Sequence, residues 1–218
     1  MSLQSQLEAI TQQVNSLLPA EKRAPGEQAI AELAASGLAG KILSLGAQAP
    51  AFELPDTNGT LVRSADLLAN GKLMIIFYRG RWCPYCMAQL ETWNALLPQL
   101  QAASASLVAI SPQIQHQSSL TADQHKLHFP VLSDAGNQVA RSFNLVYRIP
   151  SYLEEQYKRT FINLPFVNGD PGWELPLPAT YVLNRDGKVL YAWADADYRK
   201  RSEPDEALRL AIFAQSTR

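Results

Sequence analysis

The chain's only two cysteines, Cys83 and Cys86, stand one helical turn apart in FYRGRWCPYCMAQL, directly after the apolar run KLMIIFY. Two thiols at this spacing can hold a metal together with other ligands, pack as inert core residues, or cycle between dithiol and disulfide. A structural zinc takes four ligands, and the histidines, His116, His125 and His128, all lie far along the chain from the pair. Buried free thiols are common, but they rarely sit at a helix start. An apolar strand, a short turn and Cys-Pro-Tyr-Cys place Cys83 at the beginning of a helix, where first-turn amides and the macrodipole favour a thiolate. Pro84 then occupies the first helical turn, where its missing N–H leaves no acceptor unpaired. On this reading Cys83 is the accessible, acidic nucleophile, and Cys86, one turn on, closes the disulfide.

Arg79, Arg81 and Trp82 flank the pair. A cation near either sulfur stabilises a thiolate and the charge that develops on a leaving oxygen; the alternative is a solvated loop. Trp82 is expected to pack beside the site. Arg201 lies in the charged run DADYRKRSEP, residues 195–204, from which it could reach the cysteines, although most such runs are solvated. Tyr147, Tyr152, Tyr157, Phe161, Phe166 and Trp173 either shape a groove near the dithiol or fill a core.

The elements that must position these residues are legible from periodicity. Leu3, Leu7, Ile10, Val14 and Leu17 draw one apolar stripe along a first helix, and a short second helix is expected around Ile30, Leu33 and Leu38 after a turn at EKRAPG, residues 21–26. These helices either pack on the domain or form a dimer seam. AFELPDTNG and TLVRS read as two short strands about a turn, with Ser64 capping a short helix. KLMIIFY and SLVAIS, without alternation, read as strands covered on both faces. The helix between them, carrying Leu90, Trp93, Leu97 and Leu100 on one face, makes a parallel crossover unit. Further on come a helix over 121–127, a strand in FPVLS, a helix over 137–143 and a capping box of Ser151 and Glu154. ATYVLNRDGKVLYAWA is a hairpin whose Asp186-Gly187 suits positive φ, and a last helix runs from Pro204 towards Phe213.

A chain of 218 residues with 47 % hydrophobic and 18 % charged residues suits one globular domain. Its net charge of −1 offers no field for nucleic acid or anionic lipid. The amino terminus lacks a basic segment followed by an apolar one, and no apolar run approaches a membrane span, which points to the cytoplasm. There a close thiol pair is catalytic or metal-binding rather than a structural staple.

RWCPYC resembles the active-site turn of the thioredoxin superfamily. FELPDTNGTLV, MIIFYRGRWCPYC, FPVLSDAGNQVARSFNL and ATYVLNRDGKVLYAW make residues 45 to about 215 more similar to its peroxiredoxin branch, the alkyl hydroperoxide reductase and thiol-specific antioxidant family. The resemblance implies an α/β thioredoxin-like fold, a mixed sheet flanked by helices, over residues 45–218, with residues 1–44 as a helical extension. It implies a peroxide or disulfide substrate, a thiol reductant such as thioredoxin or glutathione, a possible homodimer, and no bound cofactor or metal. Laying the family's Pro-x-x-x-Thr-x-x-Cys over this chain puts Arg79 at the proline, Cys83 at the threonine and Cys86 at the peroxidatic cysteine. The family's late arginine, two residues ahead of Thr180, is here Pro178, which resembles the proline that faces the dithiol in thioredoxin-like oxidoreductases and would accordingly lie near the sulfurs, with a cis Leu177–Pro178 bond. The thioredoxin pattern makes Cys83 the first nucleophile, the peroxiredoxin overlay Cys86. Peroxide reduction, disulfide exchange and redox-dependent binding of a partner are the three activities in view.

Overall fold

The computed structural model describes residues 2–160 and 162–213. Helices α1 (Leu3–Leu17) and α2 (Ala20–Ala35) precede a hairpin of β1 (Glu53–Pro55) and β2 (Leu61–Arg63), helix α3 (Ser64–Asn70) and strand β3 (Leu73–Phe77). Then follow α4 (Pro84–Ala102), β4 (Ser106–Ser111), α5 (Gln115–Gln124), β5 (Val131–Ser133), α6 (Gln138–Ser142) and β6 (Val146–Arg148). The last third holds α7 (Ser151–Arg159), α8 (Leu164–Asn168), β7 (Glu174–Pro176), β8 (Ala179–Leu183), β9 (Val189–Ala194) and α9 (Pro204–Phe213).

The central sheet has the order β5-β4-β3-β8-β9, with β3, β4 and β5 parallel and β8 and β9 antiparallel. Every residue of β3 is buried, as its unalternating run requires. Met74 and Ile76 pack into one cluster with Leu90, Trp93 and Leu97 of α4, Ala207 and Ala211 of α9, and Leu3 and Leu7 of α1. Leu73, Ile75 and Phe77 point to the opposite cluster, with Phe52, Phe143 and Tyr181. The sheet is therefore covered on both faces, the mixed α/β architecture of the thioredoxin fold.

The segment Glu21–Gly26 is not a turn: it lies inside α2, which carries Pro25 in its interior. Local propensity opposes this, and tertiary contacts override it. Gln156 of α7 donates to the Lys22 carbonyl at 2.7 Å, and Arg23 ties α2 back to Asn15 at 2.7 Å. Ser64 is the first residue of α3 rather than its cap, and its hydroxyl accepts the Phe52 amide at 3.0 Å instead. Ser151 is the first residue of α7, whose N-cap is Pro150, so it makes no capping bond, and Glu154 pairs with Arg148 at 3.0 Å. In the β8–β9 turn, positive φ falls on Gly187 and not on Asp186. The small sheet of β6 and β7 is an element that periodicity missed.

Candidate redox site

The loop from Tyr78 to Trp82 leaves β3 and delivers the chain to α4. Gly80 adopts φ +147, and a Cβ there would meet Trp82 Nε1 at 2.5 Å, so the turn takes glycine. The Arg81 amide donates to Gln113 Oε1 at 2.7 Å, and the Cys83 amide to the Gly80 carbonyl at 3.1 Å. Cys83 is the N-cap residue of α4 and Pro84 its first residue, as the tetrapeptide predicts. The Cys83 carbonyl accepts the amides of Cys86 and Met87, at 3.0 and 3.1 Å.

The expectation of an accessible, acidic Cys83 fails. Cys83 is 1 % and Cys86 0 % exposed, both within the cluster that contains Leu3 and Leu7 of α1. The Cys83 side chain makes no capping hydrogen bond, so the first-turn amides give its thiolate little support. Burial, and then the neighbouring Cys86, push the Cys83 thiol well above the ordinary range against the pull of Arg79 and Arg201. At Cys86 burial acts in the same direction, but the hydrogen bond from Cys83, the Arg201 and Arg79 guanidiniums and the Arg79 backbone amide outweigh it and bring the thiol down to about 6. The surroundings thus favour the thiol form at Cys83 and the thiolate form at Cys86.

Arg201 does reach the site. It is 6 % exposed, and Nη2 donates to Cys86 Sγ at 3.2 Å. The rest of the guanidinium is bonded in turn: Nε to Gln89 Oε1 at 2.6 Å, Nη1 to the carbonyls of Tyr198 and Lys200 at 2.7 and 2.5 Å. Gln89 Nε2 donates to Thr180 Oγ1 at 3.1 Å, so a buried relay runs from Thr180 on β8 through Gln89 on α4 to Arg201 and the sulfur. Gln89 escaped the sequence reading; its signal is a polar residue three positions after Cys86, on the helix face that turns inward.

Arg79 is 2 % exposed. Its guanidinium lies 4.0 Å from the Tyr198 ring centroid and 4.8 Å from that of Trp82, and Nη2 donates to Tyr157 Oη. Trp82 stacks edge-on against Tyr157 with ring centroids 5.7 Å apart. Arg81 is instead held among glutamines, donating to Gln124 and Gln117. Pro178 is buried just ahead of β8, where Ala179 is registered with Phe77, but the relay enters β8 through Thr180. Its peptide bond is trans, since no bond among the described residues is cis. The chain runs extended from β7 into β8, the Leu177 amide bonded to Leu145 at 2.8 Å, with no tight turn to call for the cis form. The aromatics divide: Tyr147 and Tyr157 surround Arg79, Trp173 is core, Tyr152 and Phe166 are exposed, and Phe161 lies outside the described residues.

Residues 45–192 match the AhpC/TSA family. The chain belongs to that family. It is 28 % identical over 151 residues to a Mycobacterium tuberculosis protein that bears the peroxiredoxin name, covering 69 % of this chain and 84 % of that one. A thiol-disulfide oxidoreductase ResA of Bacillus thuringiensis is 21 % identical over 149 residues, 68 % of either chain. Among solved structures, the peroxidoxin BcpB of Mycobacterium tuberculosis superposes with a TM-score of 0.61 at 25 % identity, covering 78 % of this chain and 96 % of that one. As an AhpC/TSA-family member the protein is a thiol-dependent oxidoreductase of peroxiredoxin-like type. Among the described residues no helix is long and apolar enough to cross a membrane.

Proposed function

We propose that the protein reduces peroxides with Cys86 as the attacking sulfur and Cys83 as the resolving one. The observation that carries this reading is the Arg201 guanidinium bonded to Cys86 Sγ at 3.2 Å. The Cys86 thiolate attacks one peroxide oxygen, the O–O bond breaks, and the leaving alkoxide or hydroxide takes a proton from solvent. Cys86 becomes a sulfenic acid, and Arg201 and Arg79 stand where negative charge develops. The Cys83 thiol then gives up its proton and displaces the sulfenic oxygen, which leaves as water, closing the disulfide. A thiol reductant of thioredoxin or glutathione type reopens the bond and is itself oxidised.

Burial favours a small oxidant. Both sulfurs lie within an apolar cluster, where a peroxide needs less room than a protein disulfide offered to the thiolate. The reading includes the 1–44 segment as an extension that covers the 45–218 domain, and a cytoplasmic setting, which suits a lone close thiol pair.

The test is stopped-flow oxidation of Cys83→Ser and Cys86→Ser proteins by hydrogen peroxide with dimedone trapping. Rapid sulfenic-acid labelling at Cys86 in Cys83→Ser, and none at Cys83 in Cys86→Ser, is expected. Rapid labelling at Cys83 would overturn the order of attack, and sluggish oxidation of both with fast exchange against disulfides would overturn the peroxidase reading.

A further inference from the structure

A cavity of about 380 Å³ lies between α2, α7 and the segment after β9, with Arg79 in its wall. That volume is in the lower part of the range of small-molecule sites, ~300–1,000 Å³. Ala29, Ile30 and Leu33 of α2 and Ile149 and Leu153 on the opposite side make it predominantly apolar. Its charged groups other than Arg79 are exposed: Glu32, which accepts from Tyr152 and Gln28, Lys41, and Arg148, paired with Glu154.

Arg79 is the group in this wall that its surroundings leave incomplete. No carboxylate among the described residues pairs with it, its side chain donates only to Tyr157 Oη, and its buried Nε has no acceptor. The Tyr198 and Trp82 rings lie 4.0 and 4.8 Å from its Cζ and offer no acceptor to the unpartnered Nε. The neighbouring Tyr147 and Tyr198 stay neutral because burial raises both hydroxyls. The Cys86 thiolate does not balance the site either, because one negative charge faces two guanidiniums and Arg201 holds it at hydrogen-bond distance. A buried, unmatched cation is costly, and here it borders an apolar space.

We infer that this cavity binds a monocarboxylate with an apolar body, such as a medium-chain fatty acid, its carboxylate on the in-plane edge of Arg79 and its chain against α2. Arginine binds carboxylates through paired N–H groups in that plane, and the apolar walls take the remainder of the molecule. The extension helix α2 thereby supplies one side of a ligand site. The inference does not depend on the order of attack or on peroxide chemistry, and its test removes both sulfurs.

Octanoate and 1-octanol are titrated by calorimetry into the full-length Cys83→Ser/Cys86→Ser protein. Octanoate is expected to bind at least tenfold more tightly than the alcohol. Arg79→Leu in that background abolishes the preference, and Ala29→Trp, which fills the cavity from the α2 side, weakens both ligands at least tenfold with the circular dichroism unchanged. Equal affinities in the parent, or no saturable binding, overturn the inference. So does octanoate binding that survives Ala29→Trp, which assigns the anion to Lys41 or Arg148 at the surface. Should Arg79→Leu fail to fold, the octanoate-to-octanol ratio in the parent and the Ala29→Trp result still decide.

Discussion

The two arginines beside the dithiol have the same charge and nearly the same burial, yet opposite surroundings. Arg201 is bonded through all three of its nitrogens, to Gln89, Tyr198, Lys200 and Cys86, and the Gln89 amide is tied in turn to Thr180. Arg79 is walled by aromatic rings, makes one side-chain hydrogen bond and opens onto a cavity. A guanidinium with every nitrogen engaged is fixed in place and can hold a charge at one atom, which is what a reacting sulfur needs. A guanidinium with donors to spare can accept a visitor. Both arginines favour the thiolate, but only Arg201 is bonded to the sulfur, and only Arg79 keeps donors facing elsewhere.

Breaking the Arg201 side has the largest expected effect. Arg201→Leu removes the donor to Cys86 and leaves the relay unsatisfied, so oxidation by peroxide at pH 7 falls ~10²-fold, in line with the loss of one preorganised donor to developing charge. Rapid-quench kinetics check this, and a loss under threefold makes the Arg201 contact incidental. The rate in the parent rises with pH through about 6 and then levels, since the Cys86 thiolate is the reactive form and its thiol titrates there. In Arg201→Leu the midpoint moves upward, because the charge that favoured ionisation is gone.

Arg79→Leu shifts the same midpoint in the same direction but less far, and lowers the peroxide rate at pH 5, below both midpoints, by roughly 10-fold, the worth of about one pKa unit. If Arg79→Leu costs more than Arg201→Leu, the division between the two arginines is reversed. Gln89→Leu leaves both guanidiniums present and disturbs only the aim of Arg201; a fall of ~5-fold is expected, about 1 kcal/mol for one relay bond. Gln89→Glu, which keeps the acceptor for Arg201, restores most of the rate without restoring it through packing alone. Tyr157→Phe removes the one hydrogen bond of the Arg79 side chain, and is expected to lower stability by ~1 kcal/mol in urea titrations while changing the peroxide rate less than twofold.

The reading of RWCPYC as a strand-to-helix turn rests on local rules alone, and Cys83 and Pro84 fall where those rules put them. The same holds for β3, β4, α4, the β8–β9 hairpin and α9, all long or strongly patterned segments whose side-chain period reports their burial. The helix through Glu21–Gly26 was illegible because Pro25 and Gly26 argue against it locally, and the bonds that overrule them come from Asn15 and Gln156.

What the sequence by itself determined is the α/β alternation and a close thiol pair at a helix start, since spacing and periodicity are properties of the chain; its resemblance to a family supplied the thioredoxin-like scaffold. Which thiol ionises was decided only by tertiary structure. Ionisation depends on the charges and solvent around each sulfur, and these arrive from residues far along the chain: Arg201 is 115 residues from Cys86, and Leu3 and Leu7, from the opposite end, join the apolar cluster that holds both sulfurs. The helix-start rule favours Cys83 in isolation. Buried, with the guanidinium delivered to its neighbour, Cys83 favours the thiol form instead.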